Sequence, residues 1–143
     1  MKSPIVVMIN SCSVKIEEQL KVQLEKHRLD YDSFESIRSH HWDYWFFPDN
    51  KSIWDNEVKE KFPEESEEVL FNSCYVKNLP NDYKTTGVIC PNGEWTDLQD
   101  FGWRMIREPS EENTKAYDEW ETHFKSIMEK YSKCIAIQII THC

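Results

Sequence analysis

The chain has 143 residues, 39 % of them hydrophobic and 13 % aromatic, with only 3 glycines. That length suits one domain, residues 1–143, and allows a core without metal or disulfide staples, burying roughly two-thirds of the unfolded surface. Its 26 acidic against 17 basic residues leave a net charge of −9, which makes bare duplex nucleic acid a poor general partner, because that binding needs a positive footprint.

The start, MKSPIVVMINSC, has no basic segment ahead of its short apolar run, so no signal peptide is expected. No run approaches the ~18 apolar residues of a membrane span. The cysteines Cys12, Cys74, Cys90, Cys134 and Cys143 are scattered and form no CxxC pair. A disulfide framework is therefore not expected, and a cytoplasmic setting is.

Residues 4–10, PIVVMIN, are β-branched and apolar and read as a buried strand. Ser11, Cys12 and Ser13 offer N-caps for a helix over about 14–28, whose Ile16, Leu20, Leu24 and His27 share one face. Residues 31–37 alternate weakly, as a strand or a loop. Five aromatics then fill six positions: Trp42, Tyr44, Trp45, Phe46 and Phe47 around Asp43. On a strand, Trp42, Tyr44 and Phe46 fall on one face, and His41, Asp43, Trp45 and Phe47 on the other.

The acidic stretch 55–70 is broken by Pro63, which suits the start of a short helix over about 64–71. Leu79-Pro80-Asn81-Asp82 reads as a turn. Residues 84–95 read as a hairpin around Pro91-Asn92-Gly93. Ser110 caps a helix over 110–131, with Glu111 and Glu112 in its first turn. Its stripe is Tyr117, Trp120, Phe124, Ile127 and Tyr131, which a core-facing helix requires. The apolar segment 134–141 closes the chain as a strand.

This order predicts an α+β (or α/β) fold. We expect one mixed sheet of about 4–5 strands with two main helices packed on one face. The terminal strands, being most apolar, should lie at its centre.

From 87 to 143 the chain shows an apolar strand, the turn Pro91-Asn92-Gly93 followed by Trp95, the pair Gly102-Trp103, a helix with Trp120, and a strand ending at His142-Cys143. In this it resembles a family of small uncharacterised proteins encoded by bacteriophages and bacteria. The block Asp43-Tyr44-Trp45 resembles an earlier segment of that family, but Phe46-Phe47-Pro48 stands where the family has a Gly-Gly-Arg-Trp run. The resemblance carries no activity. It implies a phage or prophage setting and a role in contests between phage and host.

Three kinds of chemistry suggest themselves. A sheet covered on one face leaves surplus rings to stack a planar ligand or a partner's side chain; the candidates are Trp42, Tyr44, Trp45, Trp95, Trp103, Arg104 and His142. The carboxylates Glu94, Asp97 and Asp100, with Arg104, His41 and Asp43, would suit a nucleotide- or phosphoester-processing hydrolase. No phosphate loop, G-x-S-x-G or H-E-x-x-H accompanies them. Metal ligation could draw on His40, His41, His123, His142, Cys143, Cys90 and Cys12, but no pair has finger-like spacing, and neither metal nor cofactor is expected. Cys12, between a strand and a helix start, reads as an inert thiol rather than an activated one.

The expected function is thus a small acidic binding protein, a phage-related inhibitor or sequestering module for a host protein or small ligand. The acidity reads first as solubility, and second as an imitation of a nucleic-acid backbone. The hydrolase is the alternative, and a structural zinc protein comes third.

Overall fold

The computed structural model describes residues 2–10, 16–29, 42–48, 61–62, 72–106 and 108–142. The segment 31–37, read as a strand or a loop, and the expected helix at 64–71, together with His40, His41, Cys12 and Cys143, lie outside them. The described strands are β1 (Lys2–Ile9), β2 (Tyr44–Phe46), β3 (Ser73–Tyr75), β4 (Gly87–Ile89), β5 (Trp95–Asp97) and β6 (Ile135–His142). The helices are α1 (Ile16–Glu25) and α2 (Glu111–Lys130), with 3₁₀ turns at Val76–Asn78 and Leu98–Phe101.

All six strands form one mixed sheet in the order β2-β6-β1-β4-β5, with β3 also on β6. The fold is α+β, as the element order predicts. The apolar terminal strands do lie centrally: β1 and β6 run antiparallel over their whole lengths, from Lys2 opposite His142 to Ile9 opposite Ile135. β4 joins β1 in parallel, with Val6 opposite Val88.

The expectation that both helices share one face is corrected. Ile5, Val7, Ile9, Ile89, Ile135, Ile137 and Ile139 pack with Leu20 and Leu24 of α1. Val6, Met8, Cys74, Val88, Cys90 and Ala136 pack with Ala116, Trp120, Phe124 and Ile127 of α2. Neighbouring strand residues point to opposite faces, so the helices sandwich the sheet. The unbroken apolar run of β1 carries this information, because a strand covered on both sides has no polar face to alternate with.

Each helix is anchored at its own site. Ser110 Oγ accepts the Asn113 N–H at 3.1 Å, capping α2. Trp120 donates its indole N–H to the Thr85 carbonyl at 2.7 Å, tying α2 to the loop before β4. On the other face, α1 holds the β4–β5 hairpin. Gln23 donates to the Pro91 carbonyl at 2.8 Å, and His27 Nε2 lies 2.8 Å from the Gly93 carbonyl. A carbonyl only accepts, so that nitrogen carries the proton.

The hairpin itself is a tight turn followed by a left-handed residue. Gly93 N–H donates to the Cys90 carbonyl at 2.8 Å and Cys90 N–H to that of Glu94 at 2.9 Å. Gly93 has φ +89°, a conformation that needs glycine at the third loop position. The Pro-Asn-Gly segment therefore closes the hairpin and presents one carbonyl to α1 and one to the turn that follows it.

Candidate functional site

The aromatic block does not run as one strand. β2 is three residues long, and Asp43 sits in a bend before it, its N–H donating to the His142 carbonyl at 2.9 Å. The bend breaks the alternation expected from Trp42 onward. Tyr44 and Phe46 share the α2 face, their ring centroids 6.2 Å apart. Trp42 instead joins Trp45 and Phe47 on the α1 face. It is only 3 % exposed, and its indole N–H donates to the Leu24 carbonyl at 3.1 Å. Trp42 thus pins the end of α1 to the start of β2 and offers no ring to a ligand.

The other proposed binding residues scatter. Trp45 and Trp95 are half-buried against the α1 side. Trp95 also donates to Asp97 Oδ2 at 2.9 Å and sits 5.4 Å from the His27 ring. Trp103 packs on the α2 side. Of the proposed set, Tyr44 and His142 come into direct ring contact: their rings stack at 4.6 Å and 11°.

The residues of the hydrolase alternative are placed structurally. Asp97 caps the 3₁₀ turn: its Oδ1 accepts the Gln99 N–H at 2.8 Å, and Asp100 Oδ2 accepts the Asp97 N–H at 2.9 Å. Both carboxylates are engaged as caps. Arg104 donates from Nη1 to the carbonyls of Trp103 and Gln99, at 2.7 and 3.4 Å. Glu94 is exposed in the hairpin loop, and His41 lies outside the described residues.

Of the metal candidates, His123 packs its ring 5.2 Å from that of Phe101. Burial, then the nearby Glu94 charge, pushes the Cys90 thiol up and away from the thiolate that ligation needs. Among the described residues, no group of three or more His, Cys, Asp or Glu is placed to hold a metal.

Two features remain, both on the α2 face at the end of the sheet where β1 begins and β6 finishes. The first is a cavity of about 370 Å³ between α2 and the 81–86 loop. Tyr83, Tyr117, Trp120, Phe124 and Met128 supply its apolar surface, with Pro4 of β1 beside them. Its rim is charged: Lys84 pairs with Glu121 at 3.1 Å, and Asp82 and Lys125 stand near. The Trp120–Thr85 bond fixes the distance between the cavity's two walls. Burial raises the Tyr83 phenol above its ordinary value, so it stays neutral.

The stripe on α2 explains the opening. Tyr117 belongs to the expected core stripe but is 45 % exposed, and Ala116 takes the buried position beside the core. The large ring at 117 overhangs the cavity instead of filling the interior.

The second feature is the pair Asp43–His142. His142 Nδ1 lies 2.9 Å from Asp43 Oδ1 and 3.2 Å from Oδ2. The Tyr44 N–H donates to the same Oδ1 at 2.8 Å. The hydrogen bond from His142 is the main cause holding the Asp43 carboxyl below its usual range. Lys2, opposite His142 on β1, extends its ammonium to within 5.2 Å of the Phe46 ring centroid.

Tyr44, His142 and Asp43 each stand out in the sequence, but nothing in it signals their meeting. The cavity's only signals there are the turn at 79–82 and the width of the α2 stripe. No protein-family model, no curated protein and no solved structure matches the chain.

Proposed function

We propose that the protein is a small binding module that holds a flat, mostly apolar small molecule in the cavity between α2 and the 81–86 loop. The observation that carries this is the cavity itself: about 370 Å³, within the range of about 300–1,000 Å³ typical of small-molecule sites. Its aromatic lining and charged rim suit a ring system whose polar edge faces water. Among the described residues, no helix is long and apolar enough to cross a membrane. Cytoplasmic residence belongs to the same reading, from the scattered cysteines with no CxxC pair. A phage setting belongs to it through the resemblance at residues 87–143, and a host small molecule is then the natural ligand.

The test is a ligand-observed NMR screen of aromatic fragments against the full chain, repeated with Tyr117→Ala. Tyr117 is exposed, so its truncation should leave the fold intact while removing one wall. Fragments that bind the wild type and lose affinity in the variant support the reading. Fragments that bind neither protein, or both equally, contradict it.

A further inference from the structure

The pair Asp43–His142 is not among the residues lining the cavity. β2 is already held to β6 by its own ladder, with Tyr44 opposite His142. The imidazole is nevertheless fixed from two sides. The carboxylate takes Nδ1, and Tyr44 lies parallel to the ring at 4.6 Å. An ionised carboxylate only accepts hydrogen bonds, so Nδ1 carries the proton and, in the neutral ring, Nε2 keeps its lone pair. No described residue is shown bonding Nε2. The side chains of His142 and Asp43 are 33 % and 24 % exposed, so solvent and a small molecule can reach them.

We propose that Asp43 and His142 form a general-base dyad that hydrolyses a small phosphate ester with a flat leaving group. His142 is the catalytic residue and Asp43 the positioning residue. Nε2 takes a proton from water as the water oxygen bonds to phosphorus. The bond from phosphorus to the leaving oxygen breaks, and the proton held at Nε2 passes to that oxygen. Asp43 holds the ring's orientation and stabilises the imidazolium formed in between.

The neighbouring groups select the substrate class. Lys2 supplies the positive charge that a phosphate oxygen requires and a neutral ester does not. Tyr44 is 47 % exposed, and with Phe46 it gives the leaving group an aromatic surface beside the reacting nitrogen. The net charge of −9 opposes a long polyanion, so the substrate is a small ester rather than a nucleic acid strand.

The probes are 4-nitrophenyl phosphate and bis(4-nitrophenyl) phosphate, given to the full chain with and without Mg²⁺. Nitrophenol release above the blank is expected. His142→Gln should lower kcat by about 100-fold or more. Asp43→Asn should lower kcat with little change in KM, and Asp43→Glu should recover part of the rate. Lys2→Met should raise KM. Release from neither ester, or a folded His142→Gln that keeps the wild-type rate, overturns the proposal. Should His142→Gln fail to fold, the wild type is titrated with inorganic phosphate while its histidine ring signals are followed by NMR. Shifts at His142 support the dyad, and an unmoved His142 overturns it.

Discussion

His142 and Asp43, 99 positions apart in sequence, meet at 2.9 Å through Nδ1 and Oδ1. The contact is possible because β6 brings the end of the chain beside the bend that precedes β2. It fixes which nitrogen of the ring carries the proton. Neutral His142 should therefore show the Nδ1–H form in ring ¹⁵N spectra. Asp43→Asn, whose amide can donate as well as accept, should shift the population toward the Nε2–H form. Identical spectra for the two proteins would show that the carboxylate does not set the tautomer.

The same contact makes a statement about acid. The Asp43 carboxyl is held below its ordinary value, first by the His142 hydrogen bond. A depressed folded-state pKa contributes stability above the unfolded value of about 3.9 and loses it as pH falls through the folded one. The melting-temperature advantage of wild type over Asp43→Asn, measured near pH ~5, should thus shrink below pH ~4. An advantage that persists unchanged to pH ~2 would mean that the bond does not favour the ionised form.

Trp120 is 3 % exposed and donates to the Thr85 carbonyl, so its removal leaves both a void and an unanswered acceptor. Trp120→Ala should destabilise the protein by about 3–5 kcal/mol in urea unfolding. A loss under about 1 kcal/mol would show that the α2 face collapses to fill the space.

The class of the fold was readable because it rests on local signals: the apolar runs of β1 and β6, the Ser110 cap, the Pro-Asn-Gly turn. The placement of the helices was not read correctly, since an amphipathic stripe says that a helix covers something without saying which side. The unbroken run Ile5–Ile9 held that answer. Trp42 misled for a related reason. Alternation is a property of an extended strand, and the bend at Asp43 resets it. The Asp43–His142 contact and the cavity were illegible because each joins segments whose meeting is decided by sheet order, which no spacing in the chain encodes.

Gly93 tests the hairpin. Its φ of +89° costs an L-residue about 1–2 kcal/mol, and a Cβ there would lie 2.8 Å from Lys26 Nζ, the mobile end of a long side chain. Backbone strain is thus the main penalty. Gly93→Ala should lower the urea midpoint by an amount equal to about 1–2 kcal/mol, with the unfolding slope unchanged. No change in midpoint would place the turn in another conformation.

The cavity beneath Tyr117 is proposed to take a flat small molecule. It is tested most directly by ¹H–¹⁵N correlation spectra of the labelled chain, titrated with the tightest-binding aromatic fragment. Saturable shifts are expected, confined to the backbone of Thr85, Thr86, Tyr117, Trp120, Glu121 and Lys125 and abolished in Tyr117→Ala. Shifts centred elsewhere, or none at millimolar fragment, would contradict it.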